Sequence, residues 1–301
     1  MAVYSKKLKA GFYKLSLPDK KNFPDLAAEL HRRGFRASTT VALEEGQYAR
    51  LERYGTWAES DCIEGEMARL RMEIVPEKGA IDRPLEVLEL RVDEGTGERG
   101  AFLYHLPTKT LVLEENRLSI GATAFAKFFA QMFDLSAFNL DPLPEPDVVS
   151  RVFSAKRVKR VEVKLAGPIT GSINVSNDAA VISALKSRKH LVAPVATFVF
   201  GTEGRKEMLP RDAALGFIRE WWRLRRNGSV PVDKIAVTGF DDEEKTSFYL
   251  NLIENRLRDE EKVNAGVDRT ISSEERRGAL RRIWARQKDK VFKLAKHLPE
   301  D

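Results

Sequence analysis

The chain has 301 residues, a length that favours two folded domains. With 43% hydrophobic and 32% charged residues, the sequence is too polar for an integral membrane protein, and no apolar run approaches the roughly 20 residues of a membrane-spanning helix. The lone cysteine, Cys62, excludes an intramolecular disulfide and a zinc site made of cysteines, and it favours a reducing, cytoplasmic location. The formal net charge of +6 is compatible with a nucleic-acid partner but does not require one. Whether the chain binds nucleic acid therefore has to be judged from how the cations cluster.

The first half of the chain alternates between strand-like and helix-like patterns. Apolar residues at every second position predict strands at residues 11–17, 47–57, 62–74, 85–92, 101–106 and 110–113. Apolar residues at helical spacing predict helices at residues 24–34 and 122–132. The second of these helices carries Phe125, Phe128 and Phe129, a stripe that we assign to the core.

Residues 141–147 mark a change of domain. Pro142, Pro144 and Pro146 preclude a regular helix or central strand, so we predict a linker between a domain of residues 1–145 and a domain of residues 146–301. The second domain has predicted strands at residues 160–165, 193–200 (buried), 235–239 and 246–252, and predicted helices at residues 178–186, 210–226 and 272–296. The predicted fold class is α+β, with two small domains, each a mainly antiparallel sheet with helices packed on one face, plus a long C-terminal helix.

The cations of the second half form clusters. Binding to a polyanion needs several cations on one surface, because each phosphate contact adds a counterion-release term. A solvated helix face is the other explanation for any single stripe. The predicted nucleic-acid-binding residues are Lys156, Arg157, Lys159, Arg160 and Lys164 around the strand 160–165, Lys186, Arg188 and Lys189 after it, Arg219, Arg223 and Arg226 on the helix 210–226, and Arg282, Arg286 and Lys293 on the last helix.

One combination of residues allows an enzymatic alternative. Glu162 and Lys164, preceded by Asp147, match the Asp…Glu-x-Lys pattern of metal-dependent nucleases. Alternate strand positions place Glu162 and Lys164 on one face, where a carboxylate could hold Mg²⁺ and a lysine could polarise water. An exposed strand face with mixed charges explains the same pattern without catalysis.

Other motifs point to no cofactor and no metal site. Residues 95–100 (Gly-Thr-Gly-Glu-Arg-Gly) match the dinucleotide fingerprint formally, but a strand follows them instead of the helix that holds a pyrophosphate. We therefore interpret this segment as a hairpin loop. The histidines His31, His105, His190 and His297 lack metal-ligand spacing, and the sequence contains no motif of a catalytic nucleophile.

The end of the chain resembles that of a known group of proteins. Its predicted order is a strand, the acidic turn at residues 241–244, a second strand, the segment Leu252-Ile-Glu-Asn-Arg-Leu257, a polar stretch and the long helix from Ser272. This order is similar to the ending of RexA-like proteins of phage exclusion and of related bacterial families associated with anti-phage defence. Three other segments agree with the resemblance: Gly11-Phe-Tyr13, the hairpin 102–113 with its following helix, and Val161-Glu-Val-Lys-Leu165.

The resemblance implies a two-domain, dimeric protein that binds DNA with little sequence preference. It also implies a role as sensor or regulator of a toxic effector partner, and it transfers no catalytic residue to this chain. Our leading hypothesis is therefore a sequence-tolerant nucleic-acid-binding protein of anti-phage defence, with DNA favoured over RNA. The alternatives are the Mg²⁺-dependent nuclease and a protein-interaction subunit whose basic faces meet an acidic partner.

Overall fold

The computed structural model confirms an α+β fold with mainly antiparallel sheets and a long C-terminal helix. It describes residues 4–16, 39–73, 76–135, 138–166, 179–191, 194–204, 207–226, 230, 232–241, 247–266 and 268–297. Within these ranges no helix has both the length and the apolar character needed to cross a bilayer.

The element bounds agree with most of the predicted segments. The strands are β1 (Tyr4–Ser16), β2 (Thr40–Glu44), β3 (Gln47–Trp57), β4 (Cys62–Arg71), β5 (Lys78–Ala80), β6 (Arg83–Glu86), β7 (Thr96–His105), β8 (Thr110–Glu114), β9 (Asn139–Pro142), β10 (Arg157–Ala166), β11 (Val195–Gly201), β12 (Val232–Phe240), β13 (Ser247–Asn251) and β14 (Arg258–Ala265). The helices are α1 (Ala122–Met132), α2 (Pro146–Ser154), α3 (Ala179–Leu191), α4 (Arg211–Arg226) and α5 (Ser273–His297).

The chain divides into two compact units, and the division differs from the predicted domains. The first unit comprises residues 1–140 and 258–301, and the second comprises residues 141–257. The first boundary lies close to the predicted one at residue 145. Residues 258–301 belong with the N-terminal segment because β14 pairs antiparallel with β1, from Tyr4 opposite Ala265 to Gly11 opposite Arg258.

In its described residues, the first unit is a sheet with the helices α1 and α5 on opposite faces. Its strands follow the order β14-β1-β8-β7-β4-β3-β2, and β5 and β6 form a separate ribbon. The aromatic stripe of α1 packs on one face, where the ring of Phe102 lies 5.2 Å from Phe125 in an edge-on contact. This contact confirms the core assignment of the phenylalanines, because Phe125, Phe128 and Phe129 are buried.

The other face of this sheet contacts α5 through both apolar and charged residues. Trp284 is 2% exposed and lies 4.7 Å from the His105 ring, measured between centroids. Arginines of α5 reach carboxylates that the sheet buries, with Arg277 Nη1 2.9 Å from Glu64 Oε1. The helix is thus held by a buried charge network as well as by apolar packing.

The second unit is a four-stranded antiparallel sheet, in the order β11-β10-β12-β13, with helices on one face. The aromatic side chains of α4 cover that face, where Phe217 lies 4.8 Å from Phe200 and Trp221 lies 6.3 Å from Phe198, between ring centroids. The helix α2 joins the same layer, since the Arg219 guanidinium of α4 lies 5.1 Å from the Phe153 ring centroid.

The prolines of residues 141–147 do not make an open linker. Strand β9 ends at Pro142, Pro144 pairs with Arg256 in an isolated bridge, and α2 begins at Pro146. Proline lacks a backbone N–H group, and it is tolerated at a strand end and in the first turn of a helix because the regular hydrogen bonds there do not use that group.

Several other predicted segments need correction. Of the predicted strand 85–92, only its start lies in a strand, β6. Residues 96–100 are not a hairpin loop, because β7 already begins at Thr96. The predicted buried strand 193–200 corresponds to β11, an edge strand whose Val195 and Val199 are 52% and 49% exposed. The predicted helix 24–34 lies outside the described residues, and β14 was not predicted.

Candidate nucleic-acid interface

The face of the second unit's sheet that the described helices leave uncovered is the strongest candidate for a binding surface. On β10 the residues Val161, Val163 and Leu165 are buried, whereas the intervening residues are at least partly exposed. We call the exposed side of this sheet the open face. The buried Ala236 and Asn251 lie on this side too. Its exposed and partly exposed members include, strand by strand, Arg157, Arg160, Glu162 and Lys164, then Val195, Thr197 and Val199, then Lys234, Thr238 and Phe240, and finally Tyr249.

A bulge at Lys159 keeps the cations of β10 on this face. Arg157 pairs with Phe240 and Arg160 pairs with Thr238, with an irregular register between Val158 and Arg160. Phe240 and Thr238 are two residues apart, so they lie on one face of β12. The one extra residue on β10 therefore places Arg157 and Arg160 on the same side, although they are three positions apart.

Ion pairs organise the charges of the open face. The Lys234 Nζ lies 2.9 Å from Glu162 Oε1, and an Arg160 Nη2 lies 3.7 Å from the other oxygen of the same carboxylate. Lys164 Nζ lies 2.7 Å from Asp233 Oδ2. Hydrogen bonds with Tyr249 and Glu162 raise the pKa of Lys234, so this side chain stays protonated at neutral pH. Because Arg160 and Lys234 share one carboxylate, they leave a surplus of positive charge.

Aromatic rings accompany these cations. Tyr249 on β13 is 56% exposed, and the Lys234 Nζ lies 5.7 Å from the centroid of its ring. The Arg157 guanidinium lies 5.6 Å from the centroid of the Phe240 ring. A sheet surface that combines cations with exposed aromatic rings has the chemistry to bind phosphates and nucleobases together.

The predicted arginine stripe on α4 lies in the packed layer of helices. Arg219 is exposed but its guanidinium lies over the Phe153 ring, 5.1 Å from the centroid. The Arg223 Nη2 lies 2.7 Å from the Glu220 carboxylate of the same helix. Both Trp221 and Trp222 are buried, so neither can stack on a base. The Arg226 side chain lies outside the described residues.

The predicted cluster of Lys186, Arg188 and Lys189 does not form one exposed surface. Arg188 is 4% exposed and its Nη2 donates to the Pro194 carbonyl at 3.1 Å. Its burial, which lowers its pKa, removes it from a phosphate-binding surface and corrects the prediction. Lys186 is exposed, and the Lys189 side chain lies outside the described residues.

The stripe on α5 faces an acidic strand. Arg286 pairs with Asp259 at 3.1 Å, and Arg282 pairs with Glu261 at 2.9 Å, both acids lying on β14. These two arginines therefore attach α5 to β14, although their side chains stay partly exposed, at 46% and 43%. Their assignment to a nucleic-acid surface stays a prediction. Lys293 is exposed on the same helix.

The remaining predicted residues lie near the start of β10. Lys156 is exposed and precedes the strand, and Lys159 occupies the bulge, half-exposed. Together with Arg157, Arg160 and Lys164, they form a predicted cluster of cations that the structure places at the surface of the second unit.

The three residues of the nuclease hypothesis lie on two elements, the strand β10 and the helix α2. Glu162 and Lys164 share the open face as predicted, but each is already paired with an opposite charge. Asp147 is exposed in the first turn of α2, the helix that contacts α4 on the covered side of the sheet. In the described part of the chain, no group of three or more His, Cys, Asp or Glu side chains is arranged to hold a metal ion.

A cysteine and a histidine of the first unit face each other without forming a nucleophile. Cys62 on β4 lies directly opposite His105 on β7. Burial raises the pKa of Cys62 to about 12, and the thiol donates to the Ser60 carbonyl at 3.0 Å. Burial also lowers the pKa of His105. At neutral pH the pair is a thiol and a neutral imidazole, which is not the activated state of a cysteine enzyme.

Sequence reasoning missed two residues that define the open face, Lys234 and Tyr249. Lys234 directly precedes the predicted strand 235–239, and Tyr249 lies within the predicted strand 246–252. Their periodicity was visible, but the face that each side chain occupies depends on the register with β10.

Comparison with known protein families gives a match over most of the chain. The model of a family of unknown function matches residues 26–292, a range that includes most of both units. No curated protein matches the chain.

Proposed function

Since the chain belongs to a family of unknown function, DUF6731, we propose its function from its surfaces: it binds nucleic acid through the open face of the second unit. One observation carries the proposal. Helices cover one side of the sheet, and the other side presents Arg160, Lys164 and Lys234 beside the exposed ring of Tyr249. Cations beside an exposed aromatic ring can contact the phosphates and the bases of one nucleic acid together.

The other predicted basic surfaces support the proposal less. Arg282 and Arg286 neutralise carboxylates of the same unit, and Arg188 is buried. Each of these two arginines has a carboxylate of its own on β14, so the pairs leave little surplus of positive charge. On the open face Arg160 and Lys234 share the single carboxylate of Glu162, and Lys164 pairs with Asp233, so one positive charge is in surplus there.

The proposed binding has little sequence preference. Neither a zinc finger nor a helix-turn-helix signature is present in the sequence, and the polar groups of the open face are mainly charged. Charged groups contact phosphates, which position a protein on nucleic acid without reading its sequence.

The proposal extends to a cytoplasmic protein of anti-phage defence, acting as sensor or regulator of an effector. The lone thiol of Cys62, buried on β4, suits a reducing compartment. The defence role is supported by the resemblance to RexA-like proteins. It is tested by plating phages on cells that express the chain, where reduced plaque formation is expected and unchanged plating on every phage tried contradicts the role.

Charge reversal on the open face provides the main test of binding. We expect the double variant Arg160→Glu, Lys164→Glu to weaken binding to labelled DNA or RNA, because two phosphate contacts become repulsive. The slope of log affinity against log salt should become shallower by roughly 1.5, the contribution of two contacts. Fluorescence anisotropy over a salt series measures both quantities.

The matched control reverses two exposed cations on helices of the same unit, Lys186→Glu and Arg219→Glu. The proposal expects this variant to bind as the wild type does, although its net charge changes by the same amount. An equal loss in both variants would show that net charge alone is responsible. Cleavage that requires Mg²⁺ and disappears in Glu162→Gln would replace the binding proposal with the nuclease.

A further inference from the structure

We propose that the open face selects single-stranded nucleic acid, with Tyr249 as the platform on which an unpaired base stacks. This inference rests on the proposed nucleic-acid binding and adds the class of ligand. Two observations carry it: the exposure and placement of Tyr249, and the four-stranded surface beside it.

The shape of the surface favours a single strand. The major groove of duplex DNA accepts a helix or a narrow two-stranded ribbon. The open face crosses β13, β12, β10 and β11, a width of about 15 Å at the spacing of neighbouring strands. A surface of this width does not enter a groove, but it can support splayed bases side by side, as flat sheets do in other single-strand binders.

Tyr249 is placed to receive a base. It lies on the edge strand β13 opposite Thr238, whose side chain is small, and it is 56% exposed, so part of its ring is accessible to a ligand. The Lys234 ammonium lies 5.7 Å from the ring centroid and also contacts the Glu162 carboxylate. Contacts from Lys234 on the next strand restrict the ring, so less conformational entropy is lost when a base stacks on it. A paired base in a duplex is already stacked on both sides, and only an unpaired base can use this ring.

Cations lie where the backbone of the same strand would run. Arg160 and Lys164 are on β10, two strands from Tyr249, which is about 10 Å at the usual strand spacing. Both side chains are long and, at 53% and 39%, partly exposed. When one base stacks on Tyr249, phosphates of the same strand come within reach of these two side chains. Beyond them, Val195 and Val199 of β11 add exposed apolar surface for a further base.

The test compares Tyr249→Leu with Tyr249→Phe. The probes are labelled oligothymidylate, oligouridylate and a DNA duplex of the same length, measured by anisotropy with the full-length chain. We expect the wild type to bind the single strands at least tenfold more tightly than the duplex. Tyr249→Leu should weaken single-strand binding by about tenfold, because stacking on an aromatic ring is lost, and Tyr249→Phe should retain most of it. Comparing the DNA and RNA probes identifies which nucleic acid is preferred.

A closely matched control exists in the first unit. Tyr4 lies on β1, is 50% exposed, and has the Arg269 guanidinium 5.4 Å from its ring centroid. Tyr4→Leu therefore removes a tyrosine of similar exposure that also contacts a cation, and it should leave all affinities unchanged. Circular dichroism and thermal unfolding establish that each variant is folded.

The outcomes separate this inference from the proposed function. If the duplex binds as tightly as the single strands and Tyr249→Leu has no effect, the inference is wrong while nucleic-acid binding stands. If no probe binds at low salt, both are wrong. If an acidic polypeptide such as polyglutamate competes as well as the oligonucleotides do, and the tyrosine variants behave alike, the surface recognises charge only and the base-stacking inference is overturned.

Discussion

At the scale of single residues, Glu64 shows how the first unit tolerates buried charge. Its side chain is 3% exposed and accepts hydrogen bonds from two arginines of α5, Arg277 at 2.9 Å and Arg281 at 2.6 Å. A buried carboxylate is costly unless it is paired and hydrogen-bonded. The two guanidinium groups satisfy it and remain partly exposed themselves, so they keep part of their own hydration.

Removal of both arginines should therefore destabilise the fold. We expect Arg277→Met, Arg281→Met to lower the free energy of unfolding by about 3 kcal/mol, because the Glu64 charge is left buried without a partner. Adding Glu64→Gln should restore part of that loss, since an amide carries no charge. Urea denaturation measures the three variants. As a control, Arg91→Met removes an exposed pair with Glu94 and should change the free energy of unfolding little. If Glu64→Gln does not restore stability to the double arginine variant, the explanation is contradicted.

At the scale of elements, α5 is attached to the edge strand β14 by ion pairs at its exposed border. Burial raises the pKa of Asp259, but hydrogen bonds from Gln287 and Arg286 outweigh this effect, and the pKa lies below its ordinary value. The same balance between burial and hydrogen bonds from Arg286 and Arg282 holds for Glu261. Both carboxylates are thus more easily ionised in the folded protein than in the unfolded chain.

These lowered pKa values predict acid sensitivity of the α5–β14 contact. A carboxylate with a lowered pKa stabilises the fold above its ordinary pKa, which is 3.8 for Asp259 and 4.5 for Glu261. That stabilisation disappears as the pH falls through the lower pKa values of the folded state. Melting temperatures measured from neutral to acidic pH should fall more steeply in the wild type than in Asp259→Asn, Glu261→Gln. Parallel curves would mean that these pairs contribute nothing.

At the scale of the whole molecule, the second unit is inserted in the sequence of the first. Its two ends lie side by side: the Leu257 amide donates to the Leu143 carbonyl at 2.7 Å, and the Glu145 amide donates to the Asn255 carbonyl at 2.9 Å. The chain therefore enters and leaves the second unit at one place. The first unit, in contrast, is assembled from two distant parts of the sequence.

This arrangement predicts different behaviour for two fragments. Residues 141–257 should fold alone and unfold cooperatively, because they contain a complete sheet with its covering helices. Residues 1–140 should not fold alone. Removal of β14 and α5 exposes the apolar sheet surface that Trp284 covers, and it leaves the buried carboxylates of Glu64 and Glu114 without their arginine partners. Size-exclusion chromatography and circular dichroism distinguish the cases. A folded monomer of residues 1–140 would contradict the role of the C-terminal segment.

Local patterns predicted the elements whose determinants are local. The hairpin of β7 and β8 was recognisable from alternating apolar residues on both sides of a short turn, and α4 from its starting proline and helical period. Strand β14 was missed because it begins Arg258-Asp-Glu-Glu-Lys262, a run of charges that is typical of a loop. Its acids form ion pairs with Arg282 and Arg286, which lie 21 and 27 residues away in sequence, so the stripe on α5 could not be recognised as paired.

The candidate site was predictable in part. The alternation of Glu162 and Lys164 placed both on one strand face, and the structure agrees. Tyr249 and Lys234 could not be assigned to that face, because their orientation depends on pairing between strands that are about 70 residues apart. The partners of a strand are set by the packing of the whole unit and not by its own sequence.

The extra residue at position 159 makes the start of β10 a place where the second unit tolerates a change of length. The bulge between Val158 and Arg160 adds one residue that has no partner of its own on β12. If Lys159 were deleted, Arg157 and Arg160 would be two positions apart in a regularly alternating strand, so Arg157 would stay on the open face and Val158 on the face that α4 covers. Homologous proteins that lack one residue at this point would consequently keep the same polar and apolar sides at the start of the strand.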